Sequence, residues 1–142
     1  MPRILKYVKK PFTALGSSFL KDLILDLTAL SYPPPTVTKD SITGNINNYN
    51  LGEGETFRLS STTSVIITGF HGGIDGRKTT VINVGSNQIS FDPQSSSSIS
   101  NNRFIILNGT LDIAIGGIAE FVYDGTTQRW RLKSYNGSVS FS

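Results

Sequence analysis

The chain has 142 residues and a mass of 15.4 kDa, a length that suits one compact domain with or without an appendage and excludes two catalytic domains. Hydrophobic residues make up 37% of the chain and charged residues 16%. No unbroken apolar run reaches the roughly 18 residues of a membrane-spanning helix, so we expect a soluble protein. The sequence contains no Cys and one His, which excludes disulfides, thiol catalysis and any metal centre that needs two imidazoles.

The net charge of +3 is concentrated in an N-terminal arm. Residues 1–21 carry five basic side chains and no acidic one, whereas residues 41–142 carry seven of each. The five basic residues are Arg3, Lys6, Lys9, Lys10 and Lys21. Such an arm favours a negatively charged partner. Few stacking aromatic residues lie among these bases, so we expect neither a nucleic acid nor a membrane as the partner.

The arm also contains an apolar stretch and ends in prolines. Its hydrophobic residues recur at spacings of three and four, which predicts an amphipathic helix over residues 18–30. Residues 22–27 also alternate in part, so an extended strand stays an alternative. Pro33–Pro35 form a stiff spacer that cannot continue a helix. We therefore divide the chain into an attachment arm, residues 1–35, and a β body, residues 36–142.

After the prolines the sequence changes to short β-branched runs separated by glycine and asparagine. The runs at 56–59, 64–68, 79–84 and 88–91 predict strands. Four further runs, 103–107, 110–115, 118–123 and 127–132, are joined by Asn108-Gly109, Gly116-Gly117 and Asp124-Gly125. Asn-Gly and Asp-Gly supply the positive φ angles of tight hairpins, which predicts a four-stranded antiparallel meander. The predicted fold is all-β, a compact antiparallel β-sandwich or jelly-roll-like knob, with a small barrel as the alternative.

Uncharged polar residues dominate the polar positions of these strands. Ser, Thr, Asn and Gln can be desolvated against a partner at lower cost than charges when their hydrogen bonds are met, which suits contacts between subunits. The Ser-rich stretch from residue 95 predicts a solvated loop.

The residues that could carry chemistry do not form a recognisable site. His71 lies in a Gly-rich segment similar to the oxyanion loop of some esterases, but a nucleophile elbow and a second His are both missing. Asp75, Asp92 and Asp124 stand beside Gly or Pro and are better interpreted as turn formers than as paired catalytic carboxylates. We therefore expect no catalytic residue, no cofactor and no metal site.

Trp130 lies between two arginines on the last predicted strand. Alternation predicts that Trp130 points inward and that Arg129 and Arg131 point outward. Together with His71 and Tyr135, Trp130 is also a candidate for contacts with a second subunit or with a glycan, because aromatic faces pack on both.

The body resembles the compact β modules of tailed-bacteriophage virion proteins, which occur in capsid decoration (cement) proteins and in tail or head fibres. The resemblance covers roughly residues 43–134 and rests on turns, strands and a terminal Trp: Asp75-Gly76-Arg77, Thr80–Asn83, the Ser-rich loop, Asn101–Phe104, Asn108-Gly109, Tyr123–Gly125 and Arg129-Trp130. It implies homotrimeric assembly on the virion and no enzymatic activity.

A decoration protein fits this layout better than a fibre, because the sequence contains neither heptads nor tandem repeats for a shaft. The expected partner is the major capsid protein, whose acidic or apolar groove would take the arm on the capsid surface after assembly in the host cytoplasm. The expected capsid contacts are Arg3, Lys6, Lys9, Lys10, Phe19, Leu20, Leu23, Ile24 and Leu27. The alternative is a short tail or head fibre that binds host polysaccharide through Trp130, Tyr135 or residues 69–78.

Overall fold

A computed structural model describes residues 34–142 of the chain. The chain divides into two units, residues 1–34 and Pro35–Ser142, and the fold described is that of the second. The predicted helix over residues 18–30 and all predicted capsid contacts lie outside the described residues.

The described residues form ten strands and one short 3-10 helix, Ser100–Asn102, so the all-β prediction is confirmed. The strands are β1 Val37–Ile42, β2 Thr56–Ser61, β3 Val65–Ile67, β4 Lys78–Asn83, β5 Ile89–Phe91, β6 Phe104–Ile105, β7 Leu111–Ile113, β8 Ile118–Asp124, β9 Arg129–Asn136 and β10 Val139–Phe141. The strand runs predicted between residues 56 and 91 match β2 to β5. The polar β1 and the terminal β10 were not predicted.

The strands form two sheets. Sheet A has the order β1-β2-β4-β8-β9-β6, and sheet B has the order β10-β7-β5-β3. Several consecutive strands lie in opposite sheets and are joined by a corner, and we call each such unit a β-arch. The arches β2–β3, β4–β5, β7–β8 and β9–β10 stack in the same order in both sheets. β1 and the residues after it form a further arch, because Ile46 bridges Ile67 of β3.

The stacking is solenoid-like. β1, β2 and β4 pair in parallel, and the register partners Val37, Phe57 and Val81 are separated by 20 and then 24 residues. β3 and β5 pair in parallel in the other sheet. The β7–β8 arch runs in the reverse direction, so β8 is antiparallel to both β4 and β9. The jelly-roll prediction is therefore wrong in its topology, because successive arches stack as rungs.

The predicted four-stranded meander is also wrong. The strands on either side of Asn108-Gly109 do not pair: β6 lies beside β9 in parallel, while β7 pairs with β5 and β10. Gly116-Gly117 is the corner that carries the chain from sheet B to sheet A. Only the hairpin at Asp124-Gly125 exists, and it uses residues 125–128 with its positive φ at Gln128. Gly109 has the positive φ expected of an Asn-Gly turn, although its flanking strands do not pair, whereas Gly125 of the Asp-Gly turn does not have it.

The core lies between the two sheets and is rich in aromatic rings. Phe70 is its centre, since its ring makes edge-on contacts with Phe91, Phe104, Phe121 and Trp130 at centroid distances of 4.9 to 5.9 Å. All five rings are at most 1% exposed. Burial of such large side chains contributes strongly to the stability of a small body.

Asparagine side chains tie neighbouring arches together at their corners. Asn83 is fully buried and donates from Nδ2 to the carbonyls of Asn87 and Ile113, both at 2.8 Å, while its Oδ1 accepts from Gly85 N–H at 3.0 Å. At the first arch, Asn45 Oδ1 accepts from Ile66 N–H at 2.8 Å. At a corner, backbone N–H and C=O groups have no partner in a neighbouring strand, and the asparagine side chains form hydrogen bonds with them instead.

The β8–β9 hairpin is closed by a carboxylate. Asp124 Oδ2 accepts from Arg131 Nε at 2.7 Å, and Oδ1 accepts from the N–H groups of Thr126 and Thr127. The hydrogen bond from Arg131, followed by that from the Thr127 side chain, lowers the pKa of Asp124 from 3.8 to about 2.

This pKa gives the hairpin an acid-sensitive contribution. The folded pKa is depressed, so the contribution is present above pH 3.8 and is lost as the pH falls through about 2. We expect amide exchange in residues 124–131 to accelerate between these values in the wild type. Asp124→Asn should exchange faster at neutral pH and show no such step. A step of equal size in the variant would assign it to another group.

Candidate functional site

Two exposed apolar side chains of the described body, Leu107 and Tyr135, line a groove at one end of the arch stack. The groove has a volume of about 260 Å³ and is lined by Ile105–Asn108, Arg131–Lys133, Tyr135 and Phe141. Leu107 at its rim is 92% exposed. We call this surface the end groove.

The end groove exists because sheet A is incomplete there. Tyr135 pairs with Ala119, and Phe141 pairs with Leu111, and both partners are fully buried, so the two aromatic residues lie on the core side of their sheets. β6 covers β9 only at Trp130 and Arg131. Tyr135 is therefore 50% exposed, although it faces the same side as the core, and its ring packs edge-on against Phe141 at 5.2 Å.

The charged residues that line the end groove are basic. Arg131 and Lys133 contribute to the lining, and no carboxylate does. Each is paired with an acid on β8: Arg131 with Asp124 at 2.7 Å and Lys133 with Glu120 at 3.3 Å. Because both ion pairs are exposed, they contribute little to the stability of the fold, but they fix the positions of the two cations at the rim.

A second exposed feature is the loop of residues 69–77, which presents Ile74 with 72% of its surface exposed. Arg77 fixes this loop by donating from Nη1 to Gly72 O at 2.8 Å and from Nη2 to Gly52 O at 2.7 Å. The guanidinium also lies 5.9 Å from the centroid of the Trp130 ring. We call Ile74 with its acidic neighbours Glu53 and Asp75 the Ile74 knob.

The Ile74 knob is held from two more sides. Asp75 Oδ1 accepts from Gly125 N–H at 2.8 Å. Gly73 lies flat on the Tyr123 ring, where a Cβ would overlap the ring carbons, so only glycine fits. Burial raises the pKa of the Tyr123 phenol, whose hydroxyl donates to Asn101 O at 3.0 Å. The loop therefore presents its isoleucine in one fixed position.

Of the three predicted contact residues of the body, one is buried and two are exposed. Trp130 points inward as predicted, is fully buried and donates from Nε1 to Phe70 O at 2.9 Å, so it is corrected from a contact candidate to a core residue. Arg129 and Arg131 are partly exposed on the other face, as alternation predicts. Tyr135 and His71 are exposed, but they lie in different surfaces, the end groove and the loop of residues 69–77.

Sequence reasoning missed the two most exposed members of these surfaces. Leu107 was assigned to the end of a strand, yet β6 ends at Ile105. Ile74 was passed over beside His71. Both are apolar residues directly before glycine-containing turns, Asn108-Gly109 and Asp75-Gly76, and that position is the only signal that could have identified them.

Many uncharged polar residues serve the fold itself. Thr68 Oγ1 donates to Asn47 Oδ1 at 2.7 Å and contacts Ser98 Oγ at 2.8 Å. Asn48 Oδ1 accepts from Ile99 N–H and from Asn102 Nδ2, both at 2.9 Å. Ser98 of the Ser-rich segment is thereby bonded to the first arch, so this serine serves the fold of the single chain.

Within residues 34–142, no group of three or more His, Asp or Glu side chains is placed to hold a metal ion. No helix in this same range is long and apolar enough to cross a membrane.

Comparison with known proteins gives little similarity. No family model matches the chain, and no curated protein matches its sequence. One solved structure, described as that of a chaperone-substrate complex, is similar with a TM-score of 0.39 and 12% sequence identity. The similarity covers 66% of this chain and 14% of that chain, and at this level it establishes neither a shared fold nor a shared function.

Proposed function

We propose that the protein is a structural component of a tailed-phage virion. In this proposal it is a homotrimeric capsid decoration protein that binds the major capsid protein through residues 1–35 and stabilises the assembled head on its outer surface. The proposal rests on the resemblance of residues 43–134 to virion β modules and on the separation of the basic arm from an electroneutral body.

The observation that carries the proposal is the end groove. Leu107 is 92% exposed and Tyr135 50% exposed in the same groove, next to the edge of an unfinished sheet. Exposed apolar side chains that share one groove are candidates for a protein–protein contact. Self-association would bury it, and the arm would then be presented in several copies to the capsid.

The physical role would be mechanical. A protein that binds the assembled shell but not its dissociated subunits stabilises the shell by linkage. Several arms on one oligomer raise the effective affinity well above that of one arm, provided that all arms reach their sites together.

Two arm variants test this role. Full-length protein should sediment with purified phage heads, and Leu23→Asp should weaken this binding at least about 30-fold because it places a charge in the predicted apolar contact. Lys9→Ala should weaken it only about two- to fivefold, and this effect should shrink at high salt. Equal losses in the two variants would contradict an apolar contact, and unchanged binding in both would place the attachment elsewhere.

A second candidate function is a short tail or head fibre that binds host polysaccharide, and the arch stack favours it. Rungs spaced by 20 and 24 residues are an architecture that extended shafts use, which weakens the earlier objection that no repeat is present. His71 and Tyr135 would then contact sugar. A glycan array with full-length protein separates the two functions, because selective binding lost in Tyr135→Ala supports the fibre and not the decoration protein.

A further inference from the structure

We propose that Asn136 is a site of self-modification, at which the backbone nitrogen of Gly137 attacks the Asn136 side-chain amide and converts the asparagine into aspartyl and isoaspartyl residues. The inference goes beyond the proposed function and does not depend on it, because it requires only the described body and water. It is carried by the geometry of these two residues at the corner between β9 and β10.

The reacting groups are already close together in the folded chain. Gly137 N–H donates to Asn136 Oδ1 at 2.6 Å. Because Cγ is bonded to Oδ1 at about 1.23 Å, Cγ lies at most about 3.8 Å from the same nitrogen. Reacting atoms held at roughly 3–3.5 Å are in a near-attack arrangement. Rotation about the last side-chain torsion of asparagine, which has a broad minimum, closes the remaining distance.

Other asparagines of the body are oriented differently. Asn50 and Asn83 each accept at 3.0 Å from the N–H two residues further on, which turns the side chain away from the adjacent nitrogen. Within residues 34–142, Asn136 alone accepts a hydrogen bond from the N–H of the residue that follows it. Asn108 also precedes a glycine but lacks this contact, so the chain contains a natural comparison.

The corner also keeps the attacking nitrogen accessible. Gly137 has a φ of +79°, and a Cβ there would lie 2.6 Å from Gly116 O, so the backbone requires glycine at this position. Glycine has no side chain that could shield its nitrogen. Asn136 and Gly137 are both exposed, so water and hydroxide reach them.

The chemistry needs water as its only co-reactant. The Gly137 nitrogen loses its proton to hydroxide and forms a bond to Asn136 Cγ, the bond from Cγ to Nδ2 breaks, and Nδ2 leaves with a proton as ammonia. The product is a five-membered succinimide ring. Addition of water at Cγ opens the ring to aspartate, and addition at the main-chain carbonyl opens it to isoaspartate, in which the chain continues through Cγ.

The isoaspartyl product changes the corner in two ways. It adds a carboxylate, and it lengthens the main chain by one carbon where Gly137 packs closely on Gly116. β10 is held at this corner by the hydrogen bond from Ala114 N–H to Ser138 O at 2.9 Å. We therefore expect the modification to loosen β10 from β7.

The first test follows full-length protein during incubation at mildly alkaline pH, with peptide mapping by mass spectrometry. Asn136 should lose ammonia and then give two isomeric products, at least about tenfold faster than Asn108, since a misplacement of about 1 Å can cost a hundredfold in rate. In concentrated urea the two asparagines should react at nearly equal rates. A smaller ratio in the folded protein, or the same ratio in urea, would contradict the proposal.

Asn136→Gln is the matched variant for this reaction. Its longer side chain would have to close a larger ring, so ammonia loss at position 136 should stop, while the rate at Asn108 should stay unchanged. A changed rate at Asn108 would mean that the substitution acts through the fold and would remove this support.

Hydrogen exchange tests the structural consequence. The isoaspartyl fraction of the wild type should exchange faster than fresh protein at residues 139–141, because β10 is less firmly held. Asn136→Asp carries the new charge on a normal backbone and should exchange like fresh wild type. Unchanged exchange in the isoaspartyl fraction, or equal acceleration in Asn136→Asp, would refute the effect of the inserted carbon. Head binding is measured separately, so none of these outcomes decides the proposed function.

Discussion

Phe70→Ala is expected to lower the free energy of unfolding of the body by about 3–5 kcal/mol, the range observed when a buried phenylalanine is truncated. The ring is 1% exposed and contacts four other aromatic rings, so its removal leaves a cavity that the surrounding edge-on pairs cannot close without losing their own geometry. Since small domains are stable by only roughly 5–15 kcal/mol, the variant should be near its folding limit.

Urea unfolding followed by Trp130 fluorescence measures this effect, because Trp130 is the only Trp of the chain and its ring lies 5.6 Å from that of Phe70. Ile66→Ala is the matched control, because the Ile66 side chain is 40% exposed on the outer face of β3. This variant should lose less than about 1 kcal/mol of the free energy of unfolding. A loss for Phe70→Ala no larger than that of Ile66→Ala would show that the aromatic cluster is not the centre of the core.

The local features of the fold could be predicted from the sequence, while its topology could not. β-branched runs predicted β2 to β5, and the alternation around Trp130 predicted its inward direction correctly. The Asn-Gly dipeptide at 108–109 was correctly predicted to have a positive φ, at Gly109, but a turn of this kind does not specify whether the next strand pairs within the sheet or crosses to the other one. Because of this ambiguity, the sequence predicted a meander where the structure has stacked arches.

The arch repeat escaped notice for a related reason. The rungs differ in length, the fourth runs in the reverse direction, and structurally equivalent positions hold different residues, such as Lys39, Leu59 and Asn83. What repeats is burial and backbone register, and neither leaves an identical sequence pattern. β1 was missed because its exposed edge carries polar residues, as edge strands commonly do.

The candidate site was only partly accessible from the sequence. Tyr135 could be named because aromatic residues on a terminal strand are either core or interface residues. Leu107 could not, since its exposure depends on β6 ending two residues before it and on β9 remaining uncovered beyond Arg131. The end groove lies at the edge of sheet A, and the position of that edge depends on pairing between strands that are distant in the sequence.

The arch corners provide the second large expected effect, through Asn83→Ala. The substitution removes three hydrogen bonds at once and leaves the carbonyls of Asn87 and Ile113 and the N–H of Gly85 without partners beside a fully buried side chain. Each unsatisfied buried group costs about 1–3 kcal/mol, so we expect a loss of about 3 kcal/mol or more in the free energy of unfolding.

Asn45→Ala is the matched control, because Asn45 occupies the corner of the first arch but accepts a single hydrogen bond, from Ile66 N–H, in an exposed position where water replaces it. We expect this variant to lose about 1 kcal/mol or less. Urea unfolding of both variants gives the comparison, and hydrogen exchange should show faster opening at residues 83–90 in Asn83→Ala alone. Similar small losses in the two variants would mean that water reaches the Asn83 corner, and that aromatic packing rather than amide bonding holds the arches in register.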